Sequence, residues 1–367
     1  MLKIKSQKPK NLTIISVAIF IIIGVSLLII SKASSTAISF EPENGTPIGN
    51  ITNINDLSVS NSRYIKFNAS TSSGFSTALG RIVPDTLYGV TIESVSNLNN
   101  INTSLTRHTK RPITRIVFQD GDPASYYVPA VDTIRNTSYI LGEILDSAGM
   151  NEISTIDYKA RATSYVNTFG KKVDIWEIGN ELNGEWLGTP TDIRAKVQAA
   201  YDVVKNDNAN LNLKAAITLN YWPSADCYSY SWEDTATFAQ SLSTEIKNGT
   251  DYILLSFYET ACSPRAAPSN SQFISIFNQL KTIFPNAKVG MGEIGAQGID
   301  DGLPNNPTLA EKQQISDRYY GMHDALKTAL GSRYVGGYFW WYYFQDAVPY
   351  DKTNSMWANI EQNFNSY

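Results

Sequence analysis

From about residue 87 onward, short apolar segments alternate with longer segments of mixed polarity. Short apolar runs bounded by turn residues predict buried parallel strands, and the segments between them predict crossover helices. Eight strands in the remaining part of the chain are typical of a closed (β/α)8, or TIM, barrel. The predicted strands are residues 88–92, 113–118, 138–141, 173–178, 213–218, 252–257, 288–291 and 335–341.

Helices are predicted over residues 158–169, 194–205, 235–246, 271–284 and 310–330. An open, doubly wound sheet is the alternative for such an alternation of strands and helices. That fold commonly binds its ligand with a glycine-rich phosphate loop after the first strand, and no such loop follows residues 88–92. The pattern therefore favours the barrel.

Two of the predicted strands end in a glutamate surrounded by small residues. The segment 173–178 is followed by Gly179, Asn180 and Glu181, and we expect the glycine to let the backbone turn there. The segment 288–291 is followed by Gly292 and Glu293. In a barrel both strands deliver these carboxylates to the face where catalytic residues lie. Glycoside hydrolysis needs such a pair, one to protonate the leaving oxygen and one to attack carbon or activate water.

The sequence Trp-Glu-Ile-Gly-Asn-Glu at 176–181, with Gly-Glu-Ile-Gly at 292–295, resembles clan A of the glycoside hydrolases, the retaining (β/α)8 barrels. The resemblance covers roughly residues 85–360 and leaves the family within the clan open. It implies that Glu181 is the acid/base, that Asn180 contacts the sugar 2-hydroxyl and that Glu293 is the nucleophile. No cofactor is implied.

The resemblance suggests further substrate-site residues, each with a structural alternative. Tyr258, at the end of the sixth strand, is expected to bond the nucleophile, and Arg115 on the second strand to hold it ionised. Neighbouring strand residues face opposite ways, so only one of the two tryptophans at 340 and 341 can face the barrel mouth. The spacing found in clan A implies that this one is Trp341, which is then expected to stack on a sugar ring. Trp222, with a structural aromatic as the alternative, and Glu93, which ends the first strand, are further candidates for substrate contacts.

Other carboxylates compete for these roles. Glu177 lies four residues deeper than Glu181 and would be a buried charge that needs a partner, whereas Glu185 is expected at the solvated rim. Asp120, Asp122 and Glu143 are assigned to loops on the same face, where they could bind a cation. Solvated loop carboxylates are commoner, so no metal site is predicted.

The amino terminus has a different character. Residues 1–11 form a basic tail, and 12–31 form an uncharged apolar segment that is about 30 Å long as a helix, enough to cross a bilayer. Lysines before it predict that the tail is cytoplasmic and that the remainder is extracellular. We therefore expect a signal anchor that places the protein in the cell membrane. Cleavage near Ala33, which would release a secreted protein, is the alternative.

Residues 32–74 are predicted to form an extracellular linker, and residues 75–367 the catalytic domain. Within the linker, residues 40–45 and 63–67 resemble the opening strands of β-sandwich carbohydrate-binding modules, although a complete module does not fit. A remnant hairpin, a plain linker and a sugar-binding element remain open.

Net charge and cysteine content do not alter the predicted fold or reaction. The net charge is −4, and it becomes −8 once the four lysines of the first ten residues are set aside. No basic face for nucleic acid is indicated. Cys227 and Cys262 follow the fifth and sixth strands, so they lie on one face of a barrel and are expected to pair outside the cell.

These observations predict a membrane-anchored retaining glycosidase that acts on a neutral, β-linked polysaccharide or oligosaccharide. A carbohydrate-binding barrel without catalysis and a structural protein of the cell envelope are the alternatives. Sugar and linkage specificity depend on loop shape, and the sequence does not define that shape.

Overall fold

The computed structural model describes residues 80–262 and 264–367, together with the backbone of 51–55 and 63–67. The chain divides into two units, residues 1–71 and 72–367. In the first, β1 (Ile51–Asn55) and β2 (Arg63–Phe67) form an antiparallel hairpin with Ile51 opposite Phe67. The predicted anchor and the segment 40–45 lie outside the described residues. Within the described part of the chain, no helix is long and apolar enough to cross a membrane.

The second unit is a closed barrel of eight parallel strands, in which β10 pairs with β3. The barrel and all eight predicted strands are confirmed, with ends shifted by a few residues. The strands are β3 (Leu87–Ile92), β4 (Ile113–Val117), β5 (Tyr139–Glu143), β6 (Ile175–Glu177), β7 (Ala215–Asn220), β8 (Tyr252–Phe257), β9 (Lys288–Ile294) and β10 (Tyr334–Trp340).

Helices surround this barrel and connect its strands. Short 3-10 segments also occur, among them Ser147–Gly149 and Glu185–Leu187, and a π-helical turn at Asp202–Asn206 extends α4. The α-helices are α1 (Leu98–Thr106), α2 (Val128–Thr137), α3 (Thr155–Phe169), α4 (Pro190–Tyr201), α5 (Thr235–Ser241), α6 (Thr244–Gly249), α7 (Asn270–Ile283), α8 (Leu309–Tyr320), α9 (His323–Leu330), α10 (Tyr343–Ala347) and α11 (Trp357–Phe364).

Two predicted helices are each divided into two. The prediction of one helix over 235–246 is wrong, because Leu242 is extended and Ser243 begins α6 by accepting a bond from the Ile246 amide. The prediction of one helix over 310–330 is also wrong, since α8 ends at Gly321 and α9 begins after Met322. The Ser243 cap accounts for the first break, and in both places an apolar periodicity continues across the turn.

The inside of the barrel is built in two layers. The lower layer is an apolar floor to which several strands contribute side chains. Among them are Ile113, Leu141, Ile175, Ala216 and Leu254. Because side chains alternate along a strand, the residue two positions later on each strand points inward as well. Those later residues are polar, namely Arg115, Glu143, Glu177, Thr218 and Ser256, and all are buried.

The register between β8 and β9 shifts once. Leu255 lies opposite Met291, but Ser256 lies opposite Glu293, so β9 contains one extra residue. Such a bulge interrupts the alternation of side chains along a strand. Its effect here is that Glu293 reaches the polar layer of the barrel interior, where Arg115 contacts it.

A disulfide joins Cys227 and Cys262, which lie in the segments after β7 and β8. Both segments leave the carboxyl-terminal end of the barrel. The bond therefore holds together two loops on the face where the candidate catalytic residues lie.

The close approach of β10 to β9 gives a testable prediction. Gly337 has φ 101°, and a Cβ there would lie 2.2 Å from the carbonyl oxygen of Met291. We expect Gly337→Ala to lower the free energy of unfolding by about 3 kcal/mol or more, through backbone strain and overlap together.

Gly302→Ala is the matched control, because Gly302 has φ 82° and no atom within 4 Å of a built Cβ. It should cost only the left-handed backbone penalty of about 1–2 kcal/mol. Denaturant unfolding measures both values. Equal losses would show that crowding between the strands contributes nothing.

Candidate active site

A cavity of about 160 Å³ opens at the carboxyl-terminal end of the barrel. Glu181 and Glu293 both line it, so the structure brings the two predicted catalytic carboxylates into one site. The other lining residues come from five different loops or strand ends: Asp146, Ser147, Asn180, Tyr258, Gln297, Asp301, Trp341 and Tyr342.

Arg115 is the one cation in direct contact with the carboxylates of the polar layer, among the described residues. Its Nε and Nη2 donate to the two oxygens of Glu177 at 2.7 and 2.5 Å. Its Nη1 donates to Glu293 Oε2 at 2.5 Å, and Nη2 also donates to Asn180 Oδ1 at 3.0 Å. The guanidinium thus links the floor of the site to Glu293 and to the residue before Glu181.

Glu143 is the third carboxylate beside Arg115, with Oε2 3.1 Å from Nε. Its assignment to a cation-binding loop is wrong, because β5 continues to Glu143 and turns it into the barrel. No group of acidic, histidine or cysteine residues suited to a metal ion occurs in the described part of the chain.

Three carboxylates share one positive charge here. Burial disfavours the charged guanidinium, but Glu143, Glu177 and Glu293 outweigh it and raise the pKa of Arg115. Burial raises the pKa of Glu143 well above its ordinary value, and the negative charge of Glu177 adds to this while Arg115 opposes it. Burial and the neighbouring negative charge therefore favour the protonated form of Glu143.

Glu293 receives two strong hydrogen bonds. Tyr258 donates its hydroxyl to Oε1 at 2.6 Å, and Arg115 donates to Oε2. Burial and the charge of Glu181 raise the pKa of Glu293 to about 8, against the opposing effects of Arg115 and Tyr258. The Glu181 and Glu293 carboxyls therefore titrate as an interacting pair.

Glu181 has only neutral donors as partners. Ser256 donates to Oε1 at 2.6 Å and Ser147 donates to Oε2 at 2.8 Å. Burial raises the pKa of Glu181, and these two hydroxyls oppose it. When the pair holds a single proton, the negative charge is better placed on Glu293, which touches a cation, and the proton on Glu181.

The backbone turn that presents Glu181 lies at Glu181 itself, where φ is 52°. The prediction that Gly179 makes this turn is wrong. Gly179 is needed for packing instead, since a Cβ there would lie 2.5 Å from Leu182 Cδ2. A non-glycine residue in the left-handed region is costly, and such residues concentrate at functional sites.

The two tryptophans that end β10 have different surroundings. Trp341 lines the cavity, with the Arg115 guanidinium carbon 5.7 Å from its ring centroid. Trp340 is fully buried and donates its Nε1 to Asp346 at 2.9 Å. The structure therefore places Trp341 in the cavity lining and Trp340 away from the cavity, bonded to a residue of α10.

Trp222 and Glu93 do not line the cavity. Trp222 is partly buried, and its backbone amide donates to Thr235 Oγ1. The carboxyl of Glu93 is buried, which together with Asp346 raises its pKa to about 7. Glu185, the rival of Glu181, is exposed at the rim, and Glu177 has Arg115 as the partner that its burial requires.

Sequence reasoning missed several residues that complete the site. Ser256 was detectable, because it has the same strand parity as Tyr258 on β8 and its continuation. Ser147, Asp146 and Gln297 lie on loops, where no periodicity indicates direction. Tyr342, which donates to Asp301 at 2.5 Å, carries no sequence signal in a chain with 21 tyrosines.

Comparison with known proteins gives similarity at the level of fold. No protein-family model matches the chain, and no curated protein matches it. The solved structures that resemble it include a family 1 β-glucosidase from Thermotoga maritima, at 13% identity and a TM-score of 0.49 over 76% of this chain and 93% of that one.

Two further structural neighbours are also glycosidases. Fungal β-1,4-galactanases match at 13% identity and a TM-score of 0.48, covering 72% of this chain and 90% of theirs. A β-glucuronidase from Bacteroides uniformis matches at 11% identity and a TM-score of 0.47, covering 70% of this chain and 30% of its own. At these identities the similarity is one of fold, and it says nothing about the reaction.

The shared charge of Arg115 predicts unequal effects of two isosteric changes. Glu177→Gln breaks the paired bonds to a buried guanidinium and should lower the free energy of unfolding by about 3–5 kcal/mol. Glu143→Gln replaces a carboxyl that keeps its proton, so we expect a loss of roughly 1 kcal/mol or less.

Urea unfolding of both variants at neutral pH, with the native protein as reference, measures the difference. A loss for Glu143→Gln as large as that for Glu177→Gln would show that Glu143 is ionised in the folded protein.

Proposed function

We propose that the protein is a retaining glycoside hydrolase that cleaves β-linked polysaccharides or oligosaccharides by double displacement. The observation that carries this proposal is the unequal environment of two carboxyls in one cavity. Glu293 is bonded to a cation and a tyrosine, whereas Glu181 is bonded only to two serine hydroxyls. One carboxyl is thus suited to be an anion and the other to hold a proton.

In the first step, an oxygen of Glu293 attacks the anomeric carbon while Glu181 gives its proton to the leaving glycosidic oxygen. The carbon–oxygen bond of the substrate breaks, and an ester joins the sugar to Glu293. In the second step, Glu181 takes a proton from water, and the water oxygen displaces Glu293. Both carboxyls return to their starting forms, so the reaction needs no cofactor.

Arg115 and Tyr258 support the role of Glu293 in both steps. Their bonds stabilise the carboxylate before attack and again when it departs from the sugar. Trp341 offers a flat apolar wall beside the reacting ring, and Asn180 lies where it can contact a hydroxyl of that ring.

We further propose that the enzyme acts outside the cell and is held to the membrane by residues 12–31. The uncharged apolar length of that segment and the lysines before it support this location. A disulfide between Cys227 and Cys262 is also suited to an oxidising compartment.

Covalent labelling tests the nucleophile directly. We expect one glycosyl unit to be added when the full-length protein, in detergent, is incubated with a panel of 2-deoxy-2-fluoro β-glycosyl fluorides carrying gluco, galacto, manno, xylo and glucurono sugars. With these reagents the hydrolysis of the ester is slowed more than its formation, so the ester accumulates. Intact-protein mass spectrometry and peptide mapping should locate it on Glu293.

Glu293→Gln should abolish the label, while Glu185→Gln, at an exposed carboxylate four residues beyond Glu181, should leave it unchanged. A label on another residue would assign a different nucleophile. A folded protein that binds oligosaccharide but is never labelled and never hydrolyses it would be a carbohydrate-binding barrel.

The pH dependence should report the shared proton. The pair must hold one proton to act on a substrate with a poor leaving group, and the pKa of Glu293 next to charged Glu181 is about 8. We therefore expect kcat/KM for an alkyl glycoside to fall above about pH 8, where the pair loses its last proton. A glycosyl fluoride, whose leaving group needs no proton, should show no such fall.

The two pH profiles are measured on the same protein, so unfolding at high pH would affect both. An alkaline fall of equal size with the fluoride would assign it to another group.

A further inference from the structure

Trp186 is one of the few large apolar side chains exposed in the described part of the chain, at 40% of its surface. It lies in the segment Glu185–Leu187, within the same loop that carries Glu181. Contact with water disfavours an indole compared with burial, and exposed aromatic groups frequently mark binding surfaces. The proposed reaction assigns no task to this side chain.

The indole is nevertheless fixed in position. Its Nε1 donates to Ser147 Oγ at 3.2 Å. Its six-membered ring packs against Gly184, where a Cβ would lie 2.5 Å from Cζ2. A side chain held by a hydrogen bond and by close backbone packing presents its ring in one orientation, so a ligand need not spend free energy on ordering it.

A single residue, Ser147, links Trp186 to the proposed acid through two hydrogen bonds. Ser147 accepts the bond from Trp186 and donates its own hydroxyl to Glu181 Oε2 at 2.8 Å. The leaving oxygen must lie next to the carboxyl that protonates it. The sugar attached to that oxygen therefore lies near Ser147, which lines the cavity. Trp186 is bonded to Ser147 and is exposed just outside the residues that line the cavity.

We propose that Trp186 is the binding platform for the leaving-group sugar, and that the natural substrate carries a pyranose ring at that position. This inference rests on the proposed function. A pyranose ring with several axial hydrogens on one side has an apolar face, which packs against a flat aromatic surface. Trp341 serves the ring that reacts, and Trp186 serves the ring that departs.

A purely positioning role, in which Trp186 acts on Glu181 through Ser147, makes a different prediction. It would affect every substrate that needs the acid, whatever its leaving group. A binding platform affects only substrates with a sugar as leaving group. Methyl β-glycosides and the matching β-1,4-linked disaccharides separate these roles, because both need protonation and only the disaccharides have a second ring.

The experiment compares kcat/KM for the two kinds of substrate in full-length protein, using glucose, galactose, mannose and xylose derivatives. Trp186→Ala should lower the value for the disaccharide by about 10- to 100-fold, the loss of one aromatic contact of this size. The value for the methyl glycoside should change little. Trp186→Phe keeps a ring and should retain most of the disaccharide activity.

Two more variants make the result interpretable. Gly184→Ala displaces the indole without removing it and should produce the same selective loss. Ile156→Ala removes an exposed apolar side chain of α3, 81% exposed, and should change neither substrate. Thermal unfolding of each variant checks that it is folded.

An equal loss on both substrates, or no loss on the disaccharide, would overturn the proposal. If the unmodified protein hydrolyses none of the methyl glycosides and none of the disaccharides, the proposed hydrolase function fails instead. A protein that cleaves both kinds of substrate, with Trp186→Ala defective only on disaccharides, supports both inferences.

Discussion

The barrel interior depends on one buried guanidinium. Arg115 lies above an apolar floor and below the cavity, and it contacts Glu177, Glu143 and Glu293 at once. Buried carboxylates without a cation would cost far more than a barrel can offset, so this single positive charge allows negatively charged carboxylates to exist inside a packed core. It also makes the two carboxyls that line the cavity unequal, because Glu293 is bonded to the cation and Glu181 is not.

The same arrangement explains how fold and chemistry share a short length of strand. Five of the eight strands, β4 to β8, each supply a packing residue to the floor and, two positions later, a polar residue to the layer above it. Ile113 and Arg115, Ile175 and Glu177 are such pairs. Apolar packing and the charges of the site are thus held in adjacent layers, and the buried Arg115–Glu177 pair makes the polar layer contribute to stability as well.

The sequence predicts the barrel well because alternation of short apolar strands is a strong signal, and it predicts Glu181 and Glu293 because both follow such strands. The direction in which a loop side chain points is not indicated by any such pattern. Ser147 comes close to Glu181 only through tertiary structure, and Trp222 and Glu93 follow strands yet do not line the cavity. The predicted strand stops before Gly142, a residue that ordinarily weakens a strand prediction, so the prediction puts Glu143 on a loop. In the structure β5 continues through Gly142 to Glu143.

The extra residue in β9 has a consequence for how this site can be lost. With regular alternation, the side chain after Gly292 would face the helices, but the bulge turns Glu293 inward. Loss of the bulge with Gly292 retained would therefore turn the carboxylate out of the barrel interior while leaving every amino acid type of the site in the chain, whereas deletion of Gly292 itself would leave the carboxylate opposite Ser256. A relative that retains all these residues but pairs this strand without the bulge would have the composition of an enzyme without its geometry.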